Sequence, residues 1–235
     1  MIKKNIKQEA SGGYKVQRRH ILNPNSSFYA KEAYKTLRTN IRFFLNQEGC
    51  KKICITSSTM GEGKSITILN LAISFAEDGQ KVLLIDADMR RPAIARLLVE
   101  KASPGLSNVL AGLVDEDKAI RKEVFHNLDI LYAGDVPPNP LELLGSERMR
   151  ELLNRLSQEY DYILVDSPPV NTVADARVVA NLLDGVLYLV RQNRTEKEAV
   201  ARGINLLKLT DAKLLGFVIN GIDPEAKKYY YSEYQ

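Results

Sequence analysis

The chain has 235 residues, of which 45% are hydrophobic and 26% charged, and this composition is typical of one globular domain with extensions. It excludes a wholly disordered or collagen-like protein, and no run approaches the roughly 18 consecutive apolar residues of a transmembrane helix. The basic start lacks the apolar segment of a secretory signal, and two cysteines cannot form a disulfide framework. We therefore expect a cytoplasmic protein.

The amino-terminal part of the chain is basic. Residues 1–48 contain 10 Lys and Arg against 3 Asp and Glu, a net +7, whereas the remainder contains 23 against 26, a net −3. We interpret 1–26 as a flexible basic leader and 27–46 as an amphipathic helix. The charge suits an anionic surface, a partner protein or a neighbouring subunit, and a solvated arm is the alternative.

From residue 52 to residue 220, short apolar runs alternate with helical patterns. This alternation predicts an α/β domain with a mostly parallel central sheet and helices on both faces. The predicted strands are 52–57, 81–86, 128–132, 162–166, 185–190 and 214–220. The predicted helices are 64–77, 92–98, 147–159, 173–183 and 195–207. At the start of the last helix, Thr195 and Glu198 have the spacing of a capping box.

A glycine-rich loop follows the first strand and opens the first helix of this region. Its sequence over 58–65, Ser-Thr-Met-Gly-Glu-Gly-Lys-Ser, ends like a P-loop, with Ser58 in place of the first glycine. Such a loop turns backbone N–H groups towards phosphate, while Lys64 reaches terminal phosphate oxygens and the Ser65 hydroxyl ligates Mg²⁺. We predict a P-loop NTPase-like fold, and a chance glycine-rich turn is the alternative. The predicted nucleotide-binding residues are Thr59, Met60, Gly61, Glu62, Gly63, Lys64, Ser65 and Ile66.

Acidic residues close two other predicted strands. Asp86 and Asp88 follow the strand 81–86, and Asp166 ends the strand 162–166. In an open parallel sheet, ligands bind beyond the carboxyl ends of the strands, so these carboxylates should lie beside the P-loop. They can hold a hydrated Mg²⁺ or accept a proton from an attacking hydroxyl, and Asp166 suits a Walker-B role. Helix capping is the alternative for each.

Two weaker features lie near this expected site. Asn220 ends the last strand and could present its amide to an adenine edge, although an Asn-Gly turn is the alternative. Arg90 and Arg91 could pair with phosphate or with Asp86 and Asp88, and solvated positions at a helix start are the alternative.

The carboxyl-terminal residues 223–235 form a tyrosine-rich tail. Four of the 11 tyrosines lie in the last seven residues, where no core is evident for them to enter. They are Tyr229, Tyr230, Tyr231 and Tyr234. The domain organisation is therefore a leader, one domain over 27–222, and this tail.

Together these features resemble the bacterial tyrosine kinases that accompany capsule and exopolysaccharide production, over nearly the whole chain from about residue 28. The resemblance rests on Gly-Glu-Gly-Lys-Ser in the P-loop, on Leu-Ile-Asp-Ala-Asp-Met-Arg-Arg-Pro at 84–92, and on Asp166. It also includes Pro-Pro-Asn-Pro-Leu-Glu-Leu-Leu at 137–144, the helix at 32–40 and the tyrosine cluster.

The resemblance implies a kinase domain over 27–222 that is unrelated to eukaryotic protein kinases and transfers the γ-phosphoryl group of ATP to tyrosine. ATP and Mg²⁺ would be its cofactors. Lys64, Asp86 and Asp88 would be catalytic, with Asp86 activating the tyrosine hydroxyl. The metal would be held by Ser65, Asp86, Asp88 and Asp166. The tail tyrosines would be phosphorylated by a neighbouring subunit.

The family's helix motif Glu-x-x-Arg-x-x-Arg links subunits into a ring, and here it is represented by Glu32, Lys35 and Arg38. Lys35 departs from the family's Arg, and Met60 departs from its common Pro. An intrahelical ion-pair stripe is the alternative for the helix. The expected partners are other copies of the chain, a membrane adaptor that recruits it to the inner face of the plasma membrane, protein-tyrosine substrates and a phosphatase. We expect no nucleic-acid partner.

Two rival interpretations remain. A MinD/ParA-type ATPase switch has a similar fold, but those proteins carry a Lys five residues before the P-loop Lys, where this chain has Thr59, and the switch does not explain the tail. The second rival is a non-catalytic adaptor that binds a partner through its basic helix. The chain has every residue expected for Mg-ATP chemistry, which argues against this adaptor: Lys64, Asp86, Asp88 and Asp166.

Overall fold

The computed structural model describes residues 20–222, so most of the predicted leader and all of the predicted tail lie outside the described residues. The helices are α1 Phe28–Phe44, α2 Lys64–Glu77, α3 Ile94–Leu98, α4 Leu106–Leu110, α5 Glu116–Ala119, α6 Pro140–Leu144, α7 Glu147–Leu156, α8 Asp175–Ala180 and α9 Lys197–Lys208. The strands are β1 Lys51–Ser57, β2 Val82–Asp86, β3 Arg121–Phe125, β4 Leu128–Leu131, β5 Tyr162–Asp166, β6 Gly185–Arg191 and β7 Leu214–Asn220.

Within residues 20–222 these strands form one seven-stranded sheet in the order β3-β4-β2-β5-β1-β6-β7. Only β3 runs antiparallel to its neighbour, and the other pairs are parallel. The predicted α/β fold with a mostly parallel sheet is therefore confirmed. Because β1 lies between β5 and β6, the loop after β1 begins at the middle of the sheet.

Helices cover both faces of the sheet. Ile53 and Ile55 of β1 pack in a cluster with residues of α1, α2 and α3. Cys54, between them, packs on the opposite face with residues of α7, α8 and α9. Successive side chains of a strand point to opposite faces, so a continuous apolar run is what a strand with two covered faces requires.

The sequence did not predict β3, because its residues Arg-Lys-Glu-Val-Phe are charged and lack an apolar alternation. This edge strand is held by the buried carboxylate of Asp129, which accepts the Glu123 N–H at 2.7 Å and the Tyr160 hydroxyl at 2.6 Å. The Lys122 ammonium lies 3.2 Å from the same carboxylate. The short helices α4, α5 and α6 were also absent from the prediction, since four or five residues carry too little periodicity.

Part of the predicted leader packs on the domain. The Leu22 side chain is buried, and its N–H donates to Oδ1 of Asn70 in α2 at 2.8 Å. The Asn70 amide in turn donates to the His20 carbonyl at 2.7 Å. Residues 20–22 are therefore attached to α2, although the prediction placed a flexible segment up to residue 26.

The predicted capping box of α9 is wrong. The helix begins at Lys197 with Glu196 as its N-cap and with no side-chain cap. The Thr195 hydroxyl instead donates to Oε1 of Glu62 in the P-loop at 2.9 Å and accepts the Arg191 N–H at 2.9 Å. A tertiary contact has replaced the local one. Across residues 20–222, no helix has both the length and the apolar character that crossing a membrane would require.

Candidate active site

The loop between β1 and α2 has the backbone shape of a P-loop. Gly61 and Gly63 have φ angles of 76° and 105°, in the region that favours glycine. Gly63 is the N-cap of α2, so the first N–H groups of a 14-residue helix face the loop. Lys64 begins that helix, and its side chain is buried beside the loop. The arrangement can hold an anionic phosphate chain.

Asn220 contacts this loop from the end of β7. Its Nδ2 donates to the Glu62 carbonyl at 2.8 Å, and its Oδ1 accepts the Gly221 N–H at 2.8 Å. A Cβ atom at Gly63 would lie 2.3 Å from that Nδ2, so a larger residue at this position would displace the Asn220 amide. The amide thus has partners within the chain on both sides, and its predicted contact with adenine stays a prediction.

Glu62 is fully buried under the loop. Its Oε1 accepts the hydroxyls of Thr59 at 2.8 Å and Thr195 at 2.9 Å. Its Oε2 is buried without a hydrogen-bond partner among the described residues. The Glu62 side chain therefore connects the P-loop to the segment between β6 and α9.

Two arginines that were not predicted from the sequence also contact the loop here: Arg191 is the last residue of β6, and Arg194 lies in the segment that follows it. The Nη1 atoms of Arg191 and Arg194 donate to the Gly61 carbonyl at 3.1 and 3.3 Å. The signal for them was present, because Arg-Gln-Asn-Arg-Thr at 191–195 begins with the last residue of β6, at the edge of the sheet where the P-loop lies. The guanidinium groups of Arg191 and Arg194 and the hydroxyl of Thr195 therefore all contact the loop from the β6 side.

Asp86 and Asp166 are paired neighbours at the ends of β2 and β5. Asp86 is 0% exposed; its Oδ2 accepts the N–H groups of Ala93 and Ile94, each at 3.1 Å, and its Oδ1 accepts the Asp88 N–H at 3.2 Å. The predicted catalytic carboxylate therefore also caps the short helix α3, which was the structural alternative. Asp88 is half-buried and more accessible.

Burial dominates the electrostatics of this carboxylate pair. Burial and the nearby charge of Asp166 raise the pKa of Asp86 well above its ordinary value. Burial raises the pKa of Asp166 to about 7; the charge of Lys64 opposes that shift, and so does the Ser65 hydroxyl, which is near Asp166 without forming a hydrogen bond of normal geometry to it. Both Asp166 oxygens are buried without a hydrogen-bond partner in the part of the chain that the structure describes.

These orphaned oxygens fit a divalent cation, because a cation would compensate their burial. Residues 20–222 contain no group of three acidic, His or Cys side chains that could form a protein-only metal cage. Mg²⁺ commonly uses one or two carboxylates together with water and substrate phosphates. Ser65 and Asp166 would then hold the ion with a bound nucleotide, and the roles of Asp86 and Asp88 as ligands stay predictions.

Arg90 does not pair with either carboxylate of its own motif. Its Nε lies 2.7 Å from Oδ2 of Asp175, and its Nη2 lies 3.2 Å from Oδ1 of the same residue, whose side chain is 1% exposed. The predicted pairing of Arg90 with Asp86 or Asp88 is therefore wrong, and its pairing with phosphate stays a prediction. Asp175 was missed because a single Asp at a helix start resembles an ordinary cap. Arg91 is exposed, and its N–H donates to Oδ1 of Asp88 at 3.0 Å.

The three predicted oligomerisation residues make contacts within the chain. Lys35 pairs with Glu32 at 2.7 Å along α1, which was the alternative interpretation. Arg38, whose side chain is 13% exposed, pairs with Asp78, the C-cap of α2, at 2.8 Å and donates to the Ser74 carbonyl. Their role between subunits stays a prediction. The tail tyrosines Tyr229, Tyr230, Tyr231 and Tyr234 lie outside the described residues.

A P-loop at the middle of a parallel sheet, with two carboxylates on the neighbouring strands, defines a nucleotide-binding P-loop protein. Residues 50–197 match the family model described as an AAA domain. The chain is 39% identical over 209 residues to the tyrosine-protein kinase YwqD of Bacillus subtilis, in an alignment that covers 89% of this chain and 88% of that protein. The chain belongs to the bacterial tyrosine kinase family.

Solved structures agree with this assignment. The kinase domain of Escherichia coli tyrosine kinase ETK superposes with a TM-score of 0.83 at 33% identity, over 95% of this chain and 83% of that one. The chimeric protein CapA2B2 superposes with a TM-score of 0.78 at 35% identity, over 84% of this chain and 86% of that one. The MinD cell division protein of Aquifex aeolicus superposes with a TM-score of 0.61 at 28% identity, over 77% of this chain and 73% of that one. MinD therefore shares the fold, as the rival interpretation expected.

Proposed function

We propose that this protein-tyrosine kinase uses Mg-ATP to phosphorylate the tail tyrosines of a neighbouring copy of itself. The observation that carries the proposal is the buried Asp166, whose unpartnered oxygens lie on the strand beside the P-loop. A buried, unpaired carboxylate destabilises the fold if it has only a structural role. Beside a phosphate chain it can hold the metal ion that stabilises the charge of the phosphates. The tail supplies a cluster of acceptors in Tyr229, Tyr230, Tyr231 and Tyr234.

The proposed transfer moves one phosphoryl group. The tyrosine oxygen forms a bond to the γ-phosphorus, the bond from that phosphorus to the β–γ bridging oxygen breaks, and ADP leaves. The tyrosine proton passes to Asp86, whose raised pKa favours proton acceptance over that of an ordinary carboxylate. Lys64 and the helix N-terminus stabilise the charge that develops on the phosphate. Because Asp86 is covered by residues 88–94, this segment must shift when the acceptor enters.

A phosphorylation assay tests the proposal. Purified wild type with Mg-ATP is expected to gain phosphate on residues 229–234 by intact mass and peptide mapping. Lys64→Met should gain none, whereas Lys208→Met, an exposed lysine of α9, should behave as wild type. Phosphate that appears equally on Lys64→Met, or chiefly outside the tail, would overturn the proposal. Phosphate release from ATP without phosphotyrosine would favour a MinD-like switch.

A second experiment tests whether the phosphoryl group passes from one copy of the chain to another. An active chain that ends after Lys228 is mixed with full-length Lys64→Met, so that the acceptor tail and the active site are on different molecules. We expect the Lys64→Met tail to become phosphorylated at a rate that rises with the concentration of the truncated chain. A Lys64→Met tail that stays unphosphorylated in this mixture, while wild type alone gains tail phosphate, would contradict transfer between copies.

We further propose a ring-like assembly, a separate membrane adaptor, a phosphatase that removes the tail phosphates, and a role in capsule or exopolysaccharide synthesis and export. The similarity to the chimeric protein CapA2B2 supports the adaptor. Exposed aromatic side chains on α1, including Phe43 at 80%, support contact between copies. Replacement of Phe43 and Phe44 by Ser should reduce the assembled fraction in a mass-photometry measurement. An unchanged mass distribution would argue against α1 as the contact.

A further inference from the structure

Two arginines beside the P-loop have no acidic partner. Arg191, at the end of β6, and Arg194, in the turn that follows, each donate through Nη1 to the Gly61 carbonyl. None of the ion pairs within residues 20–222 includes either of them. A guanidinium group carries several N–H donors and a delocalised charge. A single carbonyl therefore leaves most of the binding capacity of each arginine for another group.

The turn that carries these arginines is held by hydrogen bonds at both ends. The N–H groups of Arg194 and Thr195 donate to the Arg191 carbonyl at 3.2 and 3.0 Å, and the Arg191 N–H donates to the Thr195 hydroxyl at 2.9 Å. The same hydroxyl donates to the buried carboxylate of Glu62 under the P-loop. The fold therefore fixes this turn against the loop, which lowers the entropy cost of a contact between the turn and a ligand of the loop.

The two arginines differ in how closely their side chains are packed. A Cβ atom at Gly221 would lie 3.5 Å from Cγ and 3.6 Å from Nε of Arg191, so the Arg191 side chain lies along the backbone that follows β7. Arg194 is exposed, and a Cβ atom at Gly61 would lie 3.3 Å from its Nη2. Arg194 therefore presents an exposed, planar cation beside the P-loop.

The order of the strands indicates which part of a nucleotide would reach Arg194. Asp86 and Asp166 end β2 and β5 on one side of β1, whereas β6 and β7 lie on the other side. For transfer to occur at these carboxylates, the γ-phosphate of a nucleotide held by the P-loop must face them. The nucleoside then extends in the opposite direction, towards the ends of β6 and β7. Arg194 contacts Gly61 from that side.

We propose that the guanidinium group of Arg194 stacks on the adenine base of bound ATP. This inference deepens the proposed function, on which it rests, because it assigns a contact to the nucleoside part of the substrate. A planar guanidinium group stacks on aromatic rings as well as pairing with anions. The phosphates are held by the P-loop and the N-terminus of α2, so Arg194 distinguishes a nucleotide from a bare phosphate chain.

A binding experiment separates the base from the phosphates. Calorimetric titrations measure the Kd of ADP and the Kd of inorganic tripolyphosphate, each with Mg²⁺, for wild type and variants. Arg194→Ala should raise the Kd of ADP roughly tenfold, as expected for the loss of one cation–π contact, and should leave the Kd of tripolyphosphate unchanged. Arg194→Lys keeps the charge and loses the planar group, so it should also bind ADP more weakly than wild type does.

A matched control tests for a general effect of charge. Arg202→Ala removes an exposed arginine from α9 and should change neither Kd. Equal losses for ADP and tripolyphosphate in Arg194→Ala would show that Arg194 supports the loop or the phosphates, and would overturn the base contact. Wild-type affinity for ADP in Arg194→Ala or in Arg194→Lys would overturn it as well, and so would an equal loss of ADP binding in Arg202→Ala.

These titrations do not depend on phosphoryl transfer, so they distinguish failure of the base contact from failure of the proposed function. A selective loss of ADP binding in Arg194→Ala, with no phosphotyrosine formed by wild type, would overturn the kinase proposal and leave the base contact supported. Tail phosphorylation by wild type, together with equal losses for the two ligands in Arg194→Ala, would overturn the base contact alone.

Discussion

Asn220 and Glu62 are 158 residues apart in sequence, and the amide of Asn220 donates to the backbone carbonyl of Glu62 at 2.8 Å. This bond attaches the last strand of the sheet to the P-loop. Because a Cβ atom at Gly63 would lie 2.3 Å from the same amide nitrogen and the φ angle there is 105°, any other residue would displace the Asn220 amide and strain the loop. The phosphate-binding loop is therefore supported by a residue far from it in the chain.

Gly63→Ala tests this support. The φ angle of 105° and the clash with Asn220 should weaken binding of a fluorescent ATP analogue at least about tenfold and lower the free energy of unfolding by about 1–3 kcal/mol. Gly79→Ala is the matched control, since Gly79 has a φ of 81° but a Cβ added there would have no atom within 4 Å. Adding Asn220→Ala to Gly63→Ala should restore part of the binding. Equal effects of the two glycine variants would contradict the contact.

Asp166→Asn should separate stability from nucleotide binding. Burial raises the pKa of Asp166 to about 7 from an unfolded value near 3.8. Between these values the folded protein keeps a proton that the unfolded chain has lost, so the free energy of unfolding falls as pH rises through this interval. At pH 8 without Mg²⁺, the Asn variant should melt about 2–4 °C above wild type. Added Mg-ATP should raise the Tm of wild type and not that of the variant.

Asp115→Asn provides the control for that experiment, because Asp115 is exposed and its carboxylate forms a surface ion pair with Lys118. It should change neither the metal-free Tm nor the response to Mg-ATP. If Asp166→Asn melts below wild type without metal, burial of the charge is not the dominant cost at this position.

The Arg90–Asp175 pair should be strongly coupled. Arg90→Gln leaves the buried Asp175 carboxylate without its cation and should lower the free energy of unfolding by about 2–4 kcal/mol. Asp175→Asn removes the charge and should cost less. The double variant should be more stable than Arg90→Gln alone, which urea unfolding of all four proteins would measure as a coupling energy of about 1–2 kcal/mol. Additive effects would show that the two residues act independently.

Tyr160→Phe should loosen the β3 edge and change its alkaline behaviour. Loss of the 2.6 Å bond to the Asp129 carboxylate should cost about 1.5–3 kcal/mol. Burial and the hydrogen bond to Asp129 raise the pKa of Tyr160 above its ordinary value. Above about pH 10 the unfolded chain loses this proton first, so the free energy of unfolding of wild type falls with rising pH. The fall should be smaller in Tyr160→Phe, and parallel profiles would contradict the assignment.

Some features of the site could be read directly from residue order. The P-loop pattern placed Lys64 and Ser65 at the start of a helix, and Asp86 and Asp166 were expected at strand ends beside the P-loop because parallel strands share one carboxyl edge. Each of these expectations depends only on a short run of residues and on the strand that directly precedes it in the sequence. The contacts of Thr195, Arg90 and Asn220 could not be read in this way, since each partner lies on a distant segment.

Residue order alone was sufficient for the α/β architecture, the family and the Gly-Glu-Gly-Lys-Ser loop, because apolar periodicity and a contiguous motif are local properties. Only the tertiary structure decided which side chains satisfy the buried charges. It assigned Asp175 to Arg90 and Thr195 to Glu62, and it left both Asp166 oxygens unpartnered among the described residues. An unpaired polar atom that is buried raises the free energy of the folded state, so each such atom takes the donor that the packing of the sheet brings near.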